Sequence, residues 1–199
     1  MKFNFCKNYD FPTEISIDTF EENLKTVKET KLLGIVVTDN LKWESNTDYL
    51  CKKAYKKLWI LHRLKVIGVE PGFLLDVYLK EVRSILELAV PAWHSGLTAR
   101  LSSDLERVQK AAVRIILGQS LPYSTALKKL NIDTLSVRRE NLCERFARKT
   151  LKSKHADIFK PNNLSYMTRH KEPFIHPLCN TSRFYNSPVN YLTRILNNQ

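Results

Sequence analysis

The sequence lacks the patterns that mark a disulfide-rich, zinc-ribbon or membrane-spanning protein. Its four cysteines, Cys6, Cys51, Cys143 and Cys179, lie far apart in 199 residues and form no CxxC pair. No apolar run approaches the ~20 residues that span a bilayer, and the N-terminus has no apolar core of signal-peptide length. These absences predict a soluble, intracellular protein of the nucleus or cytoplasm, with no membrane partner.

The common catalytic motifs are also absent. There is no adjacent Asp-Asp pair, no Walker glycine loop, no GxSxG elbow and no HExxH. His155 and Asp157 with His170 or His176 imitate a two-His-one-carboxylate iron site, and with Cys179 they imitate part of a zinc knuckle. Neither site is favoured, because no strands surround these residues and the paired cysteines are lacking. We expect no catalytic residue, metal or cofactor in this chain.

Positive charge is abundant and unevenly placed. Thirty-two Lys and Arg stand against twenty Asp and Glu, which gives a net charge of +12. The first forty residues hold five basic and seven acidic side chains, so the excess lies entirely in the remainder. A field of this sign favours a polyanionic partner, nucleic acid ahead of an anionic membrane, although solubility alone also rewards net charge.

The hydrophobic pattern predicts an α+β fold that is mainly α. Residues 1–43 contain three short strand patterns, KFNF, EISI and KLLGIVVT, the last closing on Asp39-Asn40. Residues 44–153 read as a helical bundle, and residues 154–199 as an irregular tail that ends in a short helix. The predicted helices of the bundle span residues 46–66, 71–90, 102–117, 124–130 and 134–152.

Helix ends and inward faces follow from the same pattern. Gly68 is expected to stop the first helix, Pro91 to end the second and Gly118 to cap the third. The inward residues of the first helix are predicted to be Leu50, Ala54, Leu58, Leu61 and Lys65, widened by Cys51, Tyr55, Trp59 and His62. Those of the second are Phe73, Leu74, Val77, Tyr78, Val82, Ile85 and Leu86, and those of the third Leu105, Val108, Ala112, Ile115 and Ile116.

Trp93 and His94 lie in the segment PAWHSGL, where the histidine invites a role as a proton shuttle. The simpler interpretation is a buried aromatic side chain at a helix end with a polar neighbour. We favour the simpler one.

Three helices carry basic tracks that fit contacts to phosphates. The first consists of Lys52, Lys53, Lys56 and Lys57, on the side opposite the apolar stripe, followed by Arg63 and Lys65. The second consists of Arg107, Lys110 and Arg114, spaced by three and four residues. The third covers residues 138–152, where the arginines fit equally well a solvated surface of the bundle. A solvated helix face is the alternative for each track.

An ordered series of motifs resembles the C-terminal third of reverse transcriptases from jockey-like retrotransposons without long terminal repeats. The resemblance extends from about residue 2 to the end of the chain. The motifs are KLLGIVVTDNLKW, CKKAYKKLWILHRLK, EVRSILELAVPAWHSGL, LERVQKAAVRIILG, LSVRRENLCERFARKTLKSKHADIF and RFYNSPVNYLTRILN.

The resemblance implies that residues 1–43 form the edge of a polymerase palm, with Leu33-Gly34 in a strand near the primer grip. The helices that follow then correspond to the thumb, which holds the template-primer duplex. The family's two-metal Asp-Asp loop precedes this region, so we expect Mg²⁺ only in the complete family enzyme and no polymerase activity in this chain. The expected partners are an RNA or DNA duplex, bound without regard to sequence, and the missing polymerase portion.

Two other interpretations stay open. The basic helices fit a protein-interaction module that meets acidic protein partners. The segment CKKAYKKLWILHRLKVIGVE is also loosely similar to the basic segment before the oxygenase core of AlkB-type tRNA-modifying proteins. No oxygenase core follows it here, so that similarity brings none of the chemistry.

Overall fold

A small β-hairpin lies against a helical bundle in the computed structural model, which describes residues 14–15, 24–25, 27–118, 121–162 and 172–198. Strands β1 (Glu14–Ile15) and β2 (Leu24–Lys25) pair antiparallel, and β3 (Glu29–Leu32) pairs antiparallel with β4 (Ile35–Thr38). The predicted KFNF strand lies outside the described residues, and β1 falls within EISI. Helices dominate the remainder, so the predicted fold class is confirmed.

The helices agree with the predicted ones to within a few residues, with one exception discussed below. Helix α5 begins before the predicted residue 102 because Thr98 caps it, its Oγ1 accepting the N–H of Leu101 at 3.3 Å. Gly118 follows α5 with φ +87°, which confirms it as the C-cap. In chain order the helical segments are α1 (Glu44–Val66), α2 (Pro71–Val77), a π-helical turn (Tyr78–Arg83), α3 (Ser84–Leu86), α4 (Val90–Trp93), a 3-10 turn (His94–Gly96), α5 (Ala99–Leu117), α6 (Tyr123–Leu130), α7 (Leu135–Leu151), a 3-10 turn (Ala156–Ile158), α8 (Ser182–Tyr185) and α9 (Pro188–Asn197).

The prediction of KLLGIVVT as one strand is wrong, because the segment folds back on itself at Leu33-Gly34. These two residues have φ values of +48° and +91°, and a two-residue type I′ turn requires positive φ at both positions. In β4, Ile35 and Val37 point into the core, whereas the side chains of β3 are exposed. Asn46 of α1 fixes the hairpin to the bundle, since its Oδ1 accepts the N–H of Val36 at 3.0 Å.

The predicted helix 71–90 ends at Leu86, four residues early, and Pro91 does not end it. Ala89 adopts φ +50°, which turns the chain away from the helix axis. Pro91 then lies in the first turn of α4, where a missing N–H leaves no hydrogen bond unmade.

The core confirms most of the predicted inward residues. Leu50, Ala54, Leu58 and Leu61 are almost fully buried between α1 and its neighbours. The predicted widening of this stripe is wrong for three side chains, since Tyr55, Trp59 and His62 are exposed. Tyr55 and His62 lie toward α5, whose flank carries arginines there, and Trp59 lies on the outer side of α1. Phe73, also predicted to be inward, is 58% exposed.

The end of the chain packs on the bundle. Leu192 and Leu196 of α9 are buried in the same apolar cluster as the α1 residues, and Phe159 is buried beside Phe174. The division of the chain at residue 153 stays a prediction. Within the described ranges, no helix is long and apolar enough to cross a membrane.

Candidate nucleic-acid interface

Helices α1 and α5 lie side by side and run in the same direction. Near their N-termini, Nη2 of Arg100 lies 3.4 Å from Oε1 of Glu44. Near their C-termini, Nζ of Lys65 donates a hydrogen bond to the Ile116 carbonyl oxygen at 3.0 Å. Buried side chains of both helices fill the space between them. Side chains on the two helices therefore project from a common, rigid support.

The outermost face of α1 carries Lys52, Lys56 and Arg63. They follow each other at spacings of four and seven residues, which keeps them on one side of a helix. All three are exposed, and none has an ion-pair partner among the residues that the structure describes. With a rise of 1.5 Å per residue, Lys52 and Arg63 are about 16 Å apart along the axis. Lys53 is exposed on the adjacent flank.

Lys57 and Lys65 of the first predicted track have partners within the protein. Nζ of Lys57 lies 2.8 Å from Oε2 of Glu81 in the π-helical turn, and this hydrogen bond lowers the pKa of Glu81. Lys65 is half-buried and donates to the last turn of α5, where unsatisfied carbonyl groups make the helix end negative. Lys65 thus stabilises the end of α5.

The structure divides the second predicted track between two surfaces. Arg107 lies beside α1, where its positive charge opposes the rise that burial causes in the pKa of Tyr55. Arg114 also lies beside α1 and lines, with His62, Lys65 and Ile115, an open depression of about 240 Å³. Lys110 is directed to α6 instead, with Nζ 5.2 Å from the ring centroid of Tyr123.

Five cations thus come together on one side of the molecule, and we call them the α1–α5 basic face. One of the five has an acidic partner, because Nη1 of Arg107 lies 2.8 Å from Oδ1 of Asp104. In that pair Arg107 is exposed and Asp104 is half-buried, and ion pairs at the surface contribute only ~0–1 kcal/mol. The members of the α1–α5 basic face are Lys52, Lys56, Arg63, Arg107 and Arg114.

Aromatic side chains lie among these cations, a feature that the sequence interpretation assigned to the core. Trp59 is 64% exposed and Tyr55 is 46% exposed. The guanidinium carbon of Arg63 lies 5.7 Å from the Trp59 ring, within the range of a cation–π contact. The available signal was the alternation of Lys and aromatic residues in KKAYKKLW, which also fits an amphipathic core stripe.

A buried polar network holds α5 against α6 and α7. Both carboxylate oxygens of Glu106 are engaged: Oε1 accepts the hydroxyl of Tyr123, and Oε2 accepts the N–H of Leu135 at 3.0 Å. Gln109, which is 1% exposed, accepts the Tyr78 hydroxyl at 2.5 Å. These bonds fix the orientation of α5 and hence the direction in which Arg107 and Arg114 project.

The third predicted track is divided: Arg138 and Arg139 bind groups of other elements, whereas Arg145, Arg148 and Lys149 are exposed. Nε of Arg138 lies 2.9 Å from Oε1 of Glu87, and Nη2 of Arg148 lies 2.6 Å from Oε1 of Glu144. Arg139 is 1% exposed, so the interpretation of this track as solvated charge is wrong for that residue. Its Nη2 donates to Ser102 Oγ at 2.6 Å and its Nε to His94 Nδ1 at 3.4 Å.

The simpler interpretation of Trp93 is confirmed. Its side chain is fully buried, and its Nε1 donates to the Leu88 carbonyl oxygen at 2.8 Å. The neighbouring His94 stacks edge-on against Tyr191, with ring centroids 5.6 Å apart. Burial and, secondarily, the charge of Arg139 lower the pKa of His94 to about 4, so this imidazole is neutral at physiological pH.

The residues that imitate iron and zinc sites in the sequence do not assemble into a metal site in the part of the chain that the structure describes. No group of three or more His, Cys, Asp or Glu residues there is arranged to hold a metal ion. His170 lies outside the described residues. His176 instead stacks against Tyr185 at 5.8 Å, and Cys179 Sγ lies 3.1 Å from the Pro177 carbonyl oxygen.

No family model, curated protein or solved structure matches this chain. Support for a function therefore comes from the geometry of the described residues and from the motifs of the sequence.

Proposed function

We propose that this chain binds RNA or DNA duplexes, independently of their sequence, through the α1–α5 basic face. The observation that carries the proposal is the convergence of five exposed cations on two parallel helices. Four of the five have no ion-pair partner among the described residues. If the exposed cations of α1 were only a solvated helix face, there would be no reason for cations to continue onto the neighbouring flank of α5.

The dimensions of this face suit a phosphate backbone. The ~16 Å between Lys52 and Arg63 corresponds to about five base-pair steps of ~3.4 Å. Lys and Arg neutralise phosphates without reading the base edges, so binding of this kind is insensitive to sequence. On α1 the only amide side chain is that of Asn46, which is buried, so amide contacts to adenine are unavailable there.

We further propose that the chain is a remnant of a reverse transcriptase of the jockey-like kind, with the bundle in the place of a thumb. The motif order supports this assignment, and the basic face is what a thumb requires to hold a template-primer duplex. Asp39 and Asp48 are isolated in the sequence and cannot replace a paired carboxylate loop that holds two metals. The proposed role of this chain is therefore binding, and primer extension is expected to need the remainder of a polymerase.

Removal of charge from α1 provides the test. The variant Lys52→Gln, Lys56→Gln, Arg63→Gln is expected to bind a fluorescein-labelled duplex more weakly, by a similar factor for unrelated sequences. Three lost phosphate contacts lower the slope of log affinity against log salt by roughly 2.7, since each contributes about 0.9. Fluorescence anisotropy between about 50 and 200 mM salt measures both quantities.

The chain offers a control with the same change of charge on other helices. The variant Lys128→Gln, Lys129→Gln, Lys149→Gln removes three exposed lysines of α6 and α7. We expect it to bind almost as the unmodified protein does. Equal losses of duplex affinity in the two variants would show a general effect of net charge and would contradict binding through the α1–α5 basic face. Displacement of the duplex by an acidic peptide at lower concentration than by unlabelled RNA would favour the protein-interaction alternative.

A further inference from the structure

The exposed aromatic side chains of α1 point to a more specific ligand than a duplex alone. Trp59 projects from the same side of the helix as Lys52, Lys56 and Arg63, in the middle of the α1–α5 basic face. At 64% exposure it leaves most of an indole ring in water, which is a costly placement for a large apolar surface. Together with Tyr55, one turn earlier and 46% exposed, it forms an aromatic surface among the cations of this face.

We infer that Trp59 is a stacking platform for an unpaired base, so that the basic face binds a duplex together with an adjoining single strand. This inference rests on the proposed nucleic-acid binding and specifies its ligand. Every base has an apolar π-face, so stacking on a tryptophan ring tolerates any sequence, as phosphate contacts do. A binding site that combines the two recognises a junction of paired and unpaired strands by its shape.

The neighbours of Trp59 fit this role. The Arg63 guanidinium lies 5.7 Å from the indole ring, close enough to hold the ring and to meet a phosphate next to the stacked base. Tyr55, one turn earlier and 46% exposed, lies on the side toward α5 and extends the aromatic surface in the direction of Arg107. His62 continues the surface to the depression beside Arg114.

Alternative explanations of the exposed ring are weaker. A ring that completes the core would be buried, yet Trp59 lies on the outer side of α1, opposite the buried residues of that helix. Lysine is depleted in protein–protein interfaces, whereas Lys52 and Lys56 lie on the same side of α1 as Trp59. Alternation of cations and aromatic rings is typical of surfaces that bind single strands.

The test compares two probes that share one duplex, one blunt and one with a single-stranded extension of about ten nucleotides, within the range of known single-strand site sizes. The unmodified protein is expected to bind the extended probe more tightly. Trp59→Ala should weaken binding of the extended probe by about 5- to 100-fold and leave the blunt duplex within about twofold. The salt slope should stay unchanged, because no charge is lost.

Phe73→Ala is the matched control. Phe73 has a similar exposure of 58%, and α2 contains no basic residue in its seven positions. Its removal should affect neither probe. The conservative variant Trp59→Phe retains a ring and should recover most of the lost affinity, which separates stacking from a disturbed fold.

Fluorescence gives a readout that does not depend on affinity. Trp59 is the most exposed of the three tryptophans, since Trp93 is fully buried and Trp43 is half-buried. Saturation with the extended probe should quench the emission of the unmodified protein, and Trp59→Phe should abolish most of that quenching.

The outcomes separate the two proposals. Binding that depends on Lys52, Lys56 and Arg63 but is the same for Trp59→Ala and the unmodified protein would overturn the stacking role alone. Equal weakening of both probes by Trp59→Ala would do the same. If neither probe binds the unmodified protein, the proposed function itself is wrong.

Discussion

Helices α1 and α7 are both rich in basic residues, but the outer face of α1 and the N-terminal part of α7 use them in opposite ways. On α1, Lys52, Lys56 and Arg63 extend into solvent without an acidic partner among the described residues. On α7, Arg138 binds Glu87 and Arg139 is buried against Ser102 and His94. A count of charges per helix does not distinguish these situations.

The difference has a physical origin in what surrounds each helix. Helix α7 packs against α4, α5 and α9, so Arg138 and Arg139 reach acidic or polar groups of neighbouring elements, whereas Arg145 and Lys149 are exposed. One side of α1 is covered by α5, β4 and the π-helical turn, and the opposite side is left to solvent. Lysine and arginine on a face that packs against other elements support the fold, whereas those on a face left to solvent remain available for a partner.

The largest effect that would test this comparison is expected on folding, at Arg139. Arg139→Ala should lower the free energy of unfolding by about 3 kcal/mol, because it empties a buried volume and leaves Ser102 and His94 with fewer hydrogen bonds. Urea denaturation measures the change. Arg145→Ala, an exposed position on the same helix, should shift it by less than about 0.5 kcal/mol.

A second variant separates packing from hydrogen bonding at this position. Arg139→Met fills most of the same volume without a charge to desolvate, so it should be less destabilising than Arg139→Ala. Equal stability of Arg139→Ala and Arg145→Ala would show that the buried arginine is not part of the structural support.

The neighbour of Arg139 makes stability depend on pH. Burial lowers the pKa of His94 to about 4, whereas its ordinary value is 6.5. Between these values the unfolded chain takes up a proton and the folded chain does not. The stability contributed by neutral His94 is therefore complete above pH 6.5 and is lost as the pH falls toward 4.

Denaturation at pH 7 and at pH 4.5 tests this expectation. A pKa shift of this size corresponds to a loss of at most about 3 kcal/mol in the free energy of unfolding. A loss of about 2 kcal/mol is expected, because the His94 side chain is only partly buried. His94→Gln removes the titration, so it should lose less stability on acidification than the unmodified protein. An identical loss in both would mean that other groups account for the acid sensitivity.

The sequence predicted the elements better than it predicted the use of their surfaces. Periodicity located α1, α5, α6 and α7 to within three residues, because apolar spacing at 3.6 residues is a local property. The turn at Leu33-Gly34 was missed because Leu seldom adopts positive φ and IVVT continues the β pattern. The exposure of Trp59 was missed for a different reason: the apolar stripe was widened too far, since at 3.6 residues per turn Trp59 shares the side of Lys52, Lys56 and Arg63.

The same limit applies to the basic residues of the candidate interface. The spacing in α1 correctly placed Lys52, Lys53 and Lys56 on the exposed side. It could not reveal that Lys57 meets Glu81 or that Lys65 reaches Ile116, since both partners come from other elements. Nor could the spacing of the second track show that Arg107 and Arg114 turn toward α1 while Lys110 turns toward α6. Long-range contacts decide these outcomes.

The smallest predicted effect separates two neighbouring lysines of one helix. Lys56→Gln should lower the salt slope of duplex binding by about 0.9, as expected for one lost phosphate contact. Lys57→Gln should lower it by clearly less, because the Lys57 ammonium already lies 2.8 Å from a Glu81 carboxylate oxygen. Fluorescence anisotropy with the blunt duplex measures both slopes under the same conditions.

Removal of the acidic partner tests the reason for that difference. Glu81→Gln takes away a negative charge and releases Lys57 for a phosphate, so affinity should rise and the salt slope should steepen. In the Glu81→Gln background, Lys57→Gln should then lower the salt slope by as much as Lys56→Gln does. The ion pair is exposed and contributes little to folding, so these changes should leave the unfolding midpoint almost unchanged. If Lys57→Gln lowers the salt slope as much as Lys56→Gln does while Glu81 is present, pairing within the protein does not decide which cations are available for a phosphate. The contrast between α1 and α7 would then need another explanation.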